Sequence, residues 1–266
     1  MLTSYHVHST LSDGASTVRE HILAALDAGL DEIGISDHYV LLPDHKAVDW
    51  SLPPSALPAY FDEIRSAAAE VEGKLVVRYG IEADFDPQTA SELAEILRAY
   101  PFDYVIGSVH FVEGFAVDEC AENWDALTQP ERNGVIRAYW ECIARMARSG
   151  LFDFAGHLDL YKKFGHVPTV DISEEIGCAL DAIAASGMAV ELNTAGWYKE
   201  IQEAYPSCEI MRECRARGIP MLVTADAHNA CELTRGFDRA VRALRDAGYT
   251  QTVVYAGRKT GAVQLV

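Results

Sequence analysis

Short apolar runs alternate along the chain with longer stretches whose apolar residues recur every three or four positions. The short runs lie near residues 3–8, 32–37, 75–82, 103–110, 153–157, 189–193 and 221–226. Their length and bounding polar residues predict strands. The longer stretches, at 17–29, 57–72, 88–99, 131–149, 172–187, 205–217 and 232–247, are read as amphipathic helices. Gly29, Gly150, Gly187, Gly218 and Gly248 stand just past the expected helix ends. A helix closes there on a left-handed residue, which glycine supplies without steric cost. A weaker run at 252–256 is expected to add an edge strand.

Strands alternating with helices predict an α/β fold built on parallel sheet. Seven or eight such units make either an open doubly wound sheet or a barrel. A chain of 266 residues suits a single barrel domain spanning 1–266. The choice between the two comes from where the polar residues fall.

Nearly every expected strand runs out onto a polar side chain. The first ends at His6 and His8, the second at Asp37 and His38, and the third at Glu82. The fourth and fifth end at His110 and His157, and the sixth at Asn193. The seventh ends at Asp226, with His228 close behind. In a barrel the strand C-termini converge on one mouth. Residues two apart on a strand share a face, so His6 and His8 point together into that mouth. Imidazole with carboxylate is the donor set of zinc, iron and manganese. The expectation is a cup for two to three divalent ions, with Glu82 central enough to bridge them.

Each of these residues has a plainer role if taken alone. HxH is a weak signal, and a lone His38, His110 or His157 is commonly a hydrogen-bonded structural histidine. Asp13 sits in an SDG turn, and Asp226 could cap a helix. Their joint position at successive strand exits favours the cup. His21 lies inside a helix and reads as structural. His45 and His166 lie in loops, where they could line a pocket.

Charge and cysteine use narrow the partners. The chain carries 22 Lys and Arg against 40 Asp and Glu, a formal charge of −18. That argues against a nucleic-acid surface and permits metal cations and a cationic small substrate. Six cysteines contain no CxxC pair and read as reduced thiols. No apolar run is long enough to cross a membrane, and no signal-peptide pattern opens the chain. A cytoplasmic protein, monomeric in the simplest reading, is expected.

The stretches HVHSTLSDG, SDH, GIEADF, FDYVIGSVHF, GHLDLYKKFG, ELNTAG and ADAH resemble the motif series of the polymerase-and-histidinol-phosphatase (PHP) family. They are most similar to its stand-alone histidinol-phosphate phosphatase branch, and the resemblance runs from about residue 5 to 249. It implies a distorted, TIM-like seven-stranded (β/α) barrel with a trinuclear metal site at the C-terminal ends of the strands. In that scheme His6, His8, Glu82 and Asp226 hold one ion. Asp13, His38 and His228 hold a second. Glu82, His110 and His157 hold a third.

The implied reaction is hydrolysis of a small phosphate ester, L-histidinol phosphate, to L-histidinol and phosphate in histidine biosynthesis. A metal-bound water attacks phosphorus. Glu82, Asp226 and His228 are the catalytic candidates, the last two for proton transfer. Lys162, Lys199 and Asn193 are the candidates for gripping substrate and phosphate. The branch often has arginine where this chain has Lys162 and Tyr198, so which of Lys162, Lys163 and Lys199 meets phosphate is open. The acidic loop 111–125 either lines the mouth or is simply solvated. The rival readings are a phosphodiesterase or exonuclease with the same cup, a phosphatase for another monoester, and a metal-binding module without activity.

Overall fold

The computed structural model describes residues 1–265. The first strand run is β1 (Thr3–Ser4), followed by helix α1 (Val18–Asp27). The second run is split into β2 (Glu32–Ile35) and β3 (His38–Tyr39), and α2 (Leu57–Ala69) follows it. The third is likewise split into β4 (Val76–Tyr79) and β5 (Glu82–Asp84), followed by α3 (Ala90–Ala99). Then come β6 (Ile106–Ser108), the small hairpin β7 (Phe111–Val112) and β8 (Phe115–Ala116), and helices α4 (Ala121–Asp125) and α5 (Gln129–Ser149). The chain continues through β9 (Phe154–Ala155), α6 (Ser173–Ser186), β10 (Ala189–Asn193), α7 (Cys208–Ala216), β11 (Met221–Thr224) and α8 (Phe237–Asp246). It closes with β12 (Gln251–Ala256) and β13 (Lys259–Gln264).

Two parallel sheets carry the site, in the orders β1-β2-β4 and β11-β10-β9-β6-β5-β3. They share the split strand runs. Between the pieces the backbone stays bonded: Gly80 N donates to Ile35 O at 2.9 Å and Glu82 N to Asp37 O at 3.2 Å. At the far side His8 N donates to Ala227 O at 2.9 Å and Ala227 N to His6 O at 3.0 Å, tying the end of β11 back to the first run. The regular ladders do not form a closed barrel.

Helix ends follow local chemistry. Thr17 and Glu20 form a capping box at α1, as Thr128 and Glu131 do at α5. Gly150 and Gly187 cap α5 and α6 in the left-handed conformation, with φ of 69° and 78°. The short helix α4, in the acidic loop, was not among the expected helices.

The run at 252–256 does not extend the parallel sheet. It pairs antiparallel with β13 across Gly257 and Arg258, both at positive φ. Two positive-φ residues in a two-residue loop make the turn whose twist suits a hairpin, so the chain folds back on itself. Tyr255 of this hairpin packs beneath the sheets with Tyr5, Tyr104 and Phe154. The Tyr104 hydroxyl donates to Tyr5 O, and its ring fills the space that a Cβ on Gly34 or Gly80 would occupy. The interior below the strand exits is therefore packed with aromatic side chains. No helix among the described residues is long and apolar enough to cross a membrane.

Candidate metal centre

Glu82 begins β5 and is fully buried at the bottom of the cup. Its Oε1 lies 2.9 Å from His157 Nε2 and 3.8 Å from His110 Nε2. Its Oε2 lies 2.6 Å from His38 Nδ1, 3.3 Å from His6 Nε2 and 3.5 Å from His8 Nε2. One carboxylate thus faces imidazoles from five different positions in the chain. Asp226 Oδ1 closes the opposite wall, 3.2 Å from His8 Nε2 and 3.6 Å from His6 Nε2. Toward the mouth, Asp13 meets His228 Nε2 at 3.3 Å and His38 Nε2 at 3.7 Å.

All nine expected ligands fall in overlapping sets whose donor atoms lie within 4.8 Å of one another. One set is His6, His8 and Asp226, and another is His8, Asp13, His38 and His228. His6 groups with Glu82 and His157, and His38 with Glu82 and His110. His6, His8 and His38 therefore each fall in two sets, which the implied three-ion partition did not include. The donors also pass a test of fit. His6 Nε2, both ring nitrogens of His8, His38 Nδ1 and Glu82 Oε2 are buried, and the short contacts given above do not have the geometry of hydrogen bonds. Leaving so many buried polar atoms unpaired is costly unless a cation completes them. Neutral imidazole and carboxylate are what a divalent transition ion binds.

A surrounding layer orients these groups. Glu191 Oε2 sits 2.8 Å from His6 Nδ1, while its Oε1 accepts from His157 N at 2.7 Å and from Asn193 Nδ2 at 2.8 Å. Asp84 Oδ1 lies 3.0 Å from His110 Nδ1. Asp37 accepts from Ser9 N, Ser9 Oγ and Ser12 Oγ, which pins the loop that carries Asp13. His21 Nε2 contacts His8 O at 3.0 Å, outside the cup, in keeping with a structural role. Asp226 is held at a φ of 52°, a left-handed conformation costly for a residue with a Cβ and typical of functional sites.

The electrostatics are those of a cationic cluster wrapped in acid. Burial pulls His6 down, but Glu191, Asp226 and Glu82 outweigh it and hold the imidazole well above its usual range. At His110 burial is overcome by Asp84 and Glu82, which carry it up to about 10. At His228 it is overcome by Asp13 and Asp226, which carry it up to about 9. His8 goes the other way, to about 3, through burial and the neighbouring His38 and His228. Burial opposes ionisation of Glu82, yet His38 and His6 hold its carboxyl well below the usual range.

Above the cup opens a recess of about 370 Å³ lined by Asp118, Lys163, Lys199, Tyr205 and Arg235 among others. Two expected substrate contacts lie elsewhere. Lys162 is buried and does not line this recess. Its Nζ is bound by Asp159 Oδ2 at 2.8 Å, Glu203 Oε2 at 2.7 Å and Ala204 O at 2.9 Å. The short 3-10 turn Leu160–Lys162 rotates it away from the mouth and presents Lys163 instead. Asn193 is also fully buried, and its Nδ2 donates to Asp226 Oδ2 at 3.1 Å. It positions the carboxylate and does not meet the mouth. Lys199 does line the recess. His45 and His166 are not among its lining residues.

Glu191, Asp84, Asp118 and Arg235 were missed in the sequence. Glu191 lies two before Asn193, and Asp84 two after Glu82, so the period of two along a strand placed both on the cup's face. Asp118 and Arg235 carried no such signal, because loops bring them to the mouth.

Comparison with known proteins gives the arrangement a family. The model of the PHP domain matches residues 4–195. A Deinococcus radiodurans protein named probable histidinol-phosphatase is 39% identical over 97% of this chain and 98% of its own. The histidinol-phosphatase of Lactococcus lactis is 27% identical over 96% of this chain and 94% of its own. The crystal structure of the Lactococcus lactis histidinol phosphate phosphatase, complexed with zinc, L-histidinol and phosphate, superposes with a TM-score of 0.83. It covers 98% of both chains at 24% identity, a likeness of fold. By the domain match and by the near full-length relatives, this chain belongs to the PHP family.

Proposed function

We propose that the protein is a metal-dependent phosphomonoesterase that hydrolyses L-histidinol phosphate to L-histidinol and phosphate, a step of histidine biosynthesis. The observation that carries the reading is Glu82, whose two oxygens face separate groups of imidazoles under a recess bearing Lys163, Lys199 and Arg235. The near full-length relatives named histidinol-phosphatase support it. We read residues 1–266 as one domain, since the cup draws on positions from His6 to His228, and the strand runs as a distorted seven-stranded barrel.

Two to three divalent ions, of zinc, manganese or iron, would be held by His6, His8, Asp13, His38, Glu82, His110, His157, Asp226 and His228. Such ions supply Lewis-acid neutralisation of phosphate charge and make water acidic enough to react near neutral pH. The chain's own residues do the rest. Glu82 fixes the spacing of the cup. Glu191 and Asp84 set the ring orientations of His6 and His110. Lys199 and Arg235 add positive charge beside the cup, where the dianion would sit. Asp226 and His228 are best read as ligands, because a lone pair given to a metal is not free to carry a proton.

The test is phosphate release by the zinc- or manganese-loaded protein from L-histidinol phosphate, an aryl phosphate and an aryl phosphodiester. A strong preference for L-histidinol phosphate in kcat/KM is expected. Comparable turnover of the diester would overturn the substrate assignment and favour a phosphodiesterase with the same cup.

A further inference from the structure

The recess above the cup mixes both charges. Asp13, Asp118, Asp226 and Glu232 line it together with Lys163, Lys199 and Arg235. Asp13 and Asp226 belong to the metal-ligand sets. The other acids are already matched: Asp118 Oδ2 lies 3.2 Å from Lys163 Nζ, and Glu232 Oε1 pairs with Arg235 Nη1. Lys163 is tied down further, because its Nζ donates to Asp118 O at 2.7 Å. Arg235 is held by hydrogen bonding at one end only. Its Nε is buried with no hydrogen-bond partner among the described residues. The side chain keeps 25% of its surface exposed and lines the recess.

An aromatic ring holds the rest of the guanidinium. Arg235 Cζ lies 4.4 Å from the ring centroid of Tyr198, and Arg239 Cζ lies 4.1 Å from that of Trp197. One arginine just before α8 and one in its first turns thus stack on two neighbouring aromatics of the 3-10 turn Ala195–Tyr198. The backbone is fitted to this stack. Thr194 Oγ1 donates to Arg235 O at 2.6 Å. Gly236 sits at a φ of 78°, and a Cβ there would come within 3.1 Å of the Trp197 ring. Tyr198 itself is 55% exposed, so burial of its own surface does not account for the ring. An arginine over an aromatic face gains from the ring's negative face and from flat contact. On the other side, Glu232 Oε2 accepts from His228 N at 3.3 Å. The carboxylate that pairs with Arg235 therefore also touches the backbone of a cup ligand.

We infer that Tyr198 is a positioning residue whose ring holds the Arg235 guanidinium at the recess, and that the stacked pair sets the preference for phosphate monoesters over diesters. A monoester carries a third terminal oxygen and, near neutral pH, a second negative charge that a diester lacks. A planar guanidinium, charged at every working pH, is the donor that suits this extra charge. Without the ring, Arg235 closes fully on Glu232, three residues before it, and its charge is cancelled within the protein. The inference rests on the phosphomonoesterase reading and adds what selects the ester class.

A double-mutant cycle on the zinc-loaded protein tests it, read as kcat/KM for an aryl phosphate and an aryl phosphodiester and as the Kd of inorganic phosphate by calorimetry. R235A should lose at least about tenfold more on the monoester than on the diester. Y198L should lose about fivefold of the same selectivity and weaken phosphate binding by a similar factor. Y198F should keep both, because the ring and not the hydroxyl carries the stack. Adding Y198L to R235A should change either readout by less than about twofold. Losses that multiply in the double variant would overturn the positioning role. So would a Y198L protein that melts early but keeps its selectivity and its phosphate affinity, since Tyr198 would then be a packing residue alone. Should the unsubstituted protein prefer the diester, the phosphomonoesterase reading falls and the selectivity with it, and the phosphate Kd judges the stack. Weaker phosphate binding in Y198L that is absent on the R235A background keeps Tyr198 as the residue that positions Arg235, and unchanged binding ends it.

Discussion

Glu191 Oε2 stands 2.8 Å from His6 Nδ1, and both residues are fully buried. The contact fixes which ring nitrogen of His6 faces the cup. Carboxylates in this position raise a histidine's basicity as well as its order, and their loss commonly costs about 10–100-fold in metal affinity. E191Q keeps the shape and loses the charge. We expect its zinc affinity, measured by chelator competition, to fall within that range, and E191A to fall further. An unchanged affinity in E191A would mean that strand β10 only packs against the site.

Glu82 faces five of the cup's six imidazoles. E82Q should lower bound metal per chain, read by elemental analysis, and reduce kcat by at least about 100-fold. In the metal-free protein the same change leaves clustered imidazoles without their central counter-charge. Breaking such a buried arrangement typically costs about 3–5 kcal/mol, so the metal-free variant should melt well below its parent.

Metal binding should release protons. In the metal-free protein His228 and His110 are carried up to about 9 and about 10, and His6 lies well above its usual range. Each must give up one proton at the nitrogen that binds the ion. Zinc affinity should therefore climb between neutral pH and about pH 9 to 10, seen as buffer-dependent binding enthalpies. The sign for stability is opposite without metal. Raised imidazoles contribute fully below their ordinary value of 6.5, and the contribution fades as pH rises toward about 9 and about 10. The metal-free protein should lose Tm over that window.

Lys162 and Lys199 should separate cleanly. Removing Lys162 leaves Asp159 and Glu203 without their cation, and burial already pushes the Asp159 carboxyl up. K162M should cost stability, by about 3–5 kcal/mol if the ion pair behaves as buried ones do. K199A should leave Tm near the parent's value and raise KM for phosphate monoesters. A K162M protein with parental Tm and raised KM would return Lys162 to the mouth.

The cysteines offer a check on the packing. Cys142 and Cys214 are buried, and burial pushes both thiols up to about 12. Cys178, Cys208 and Cys231 are exposed. A thiol reagent at neutral pH should modify those three in the folded protein and reach Cys142 and Cys214 only after unfolding.

The alternation of strands and helices, and the list of side chains at the strand exits, are legible in the chain. Both are local. Strand and helix periods are written in neighbouring residues, and a histidine or carboxylate ending an apolar run stands out because the run has no need of it. Period two even marked Glu191 and Asp84, although neither was picked out. Tertiary structure alone decided the rest. It turned Lys162 into a buried ion pair and brought forward Lys163, since one 3-10 turn selects which of two adjacent lysines faces the mouth. It assigned Asn193 to Asp226, and His8 to two donor sets. It folded the run at 252–256 onto β13 instead of the sheet edge, through a turn that needs its partner strand. It also supplied Asp118 and the stacking of Arg235 on Tyr198 from loops with no period to read. A strand exit tells where a side chain begins, but loop conformation and the competition among neighbouring charges decide what it touches.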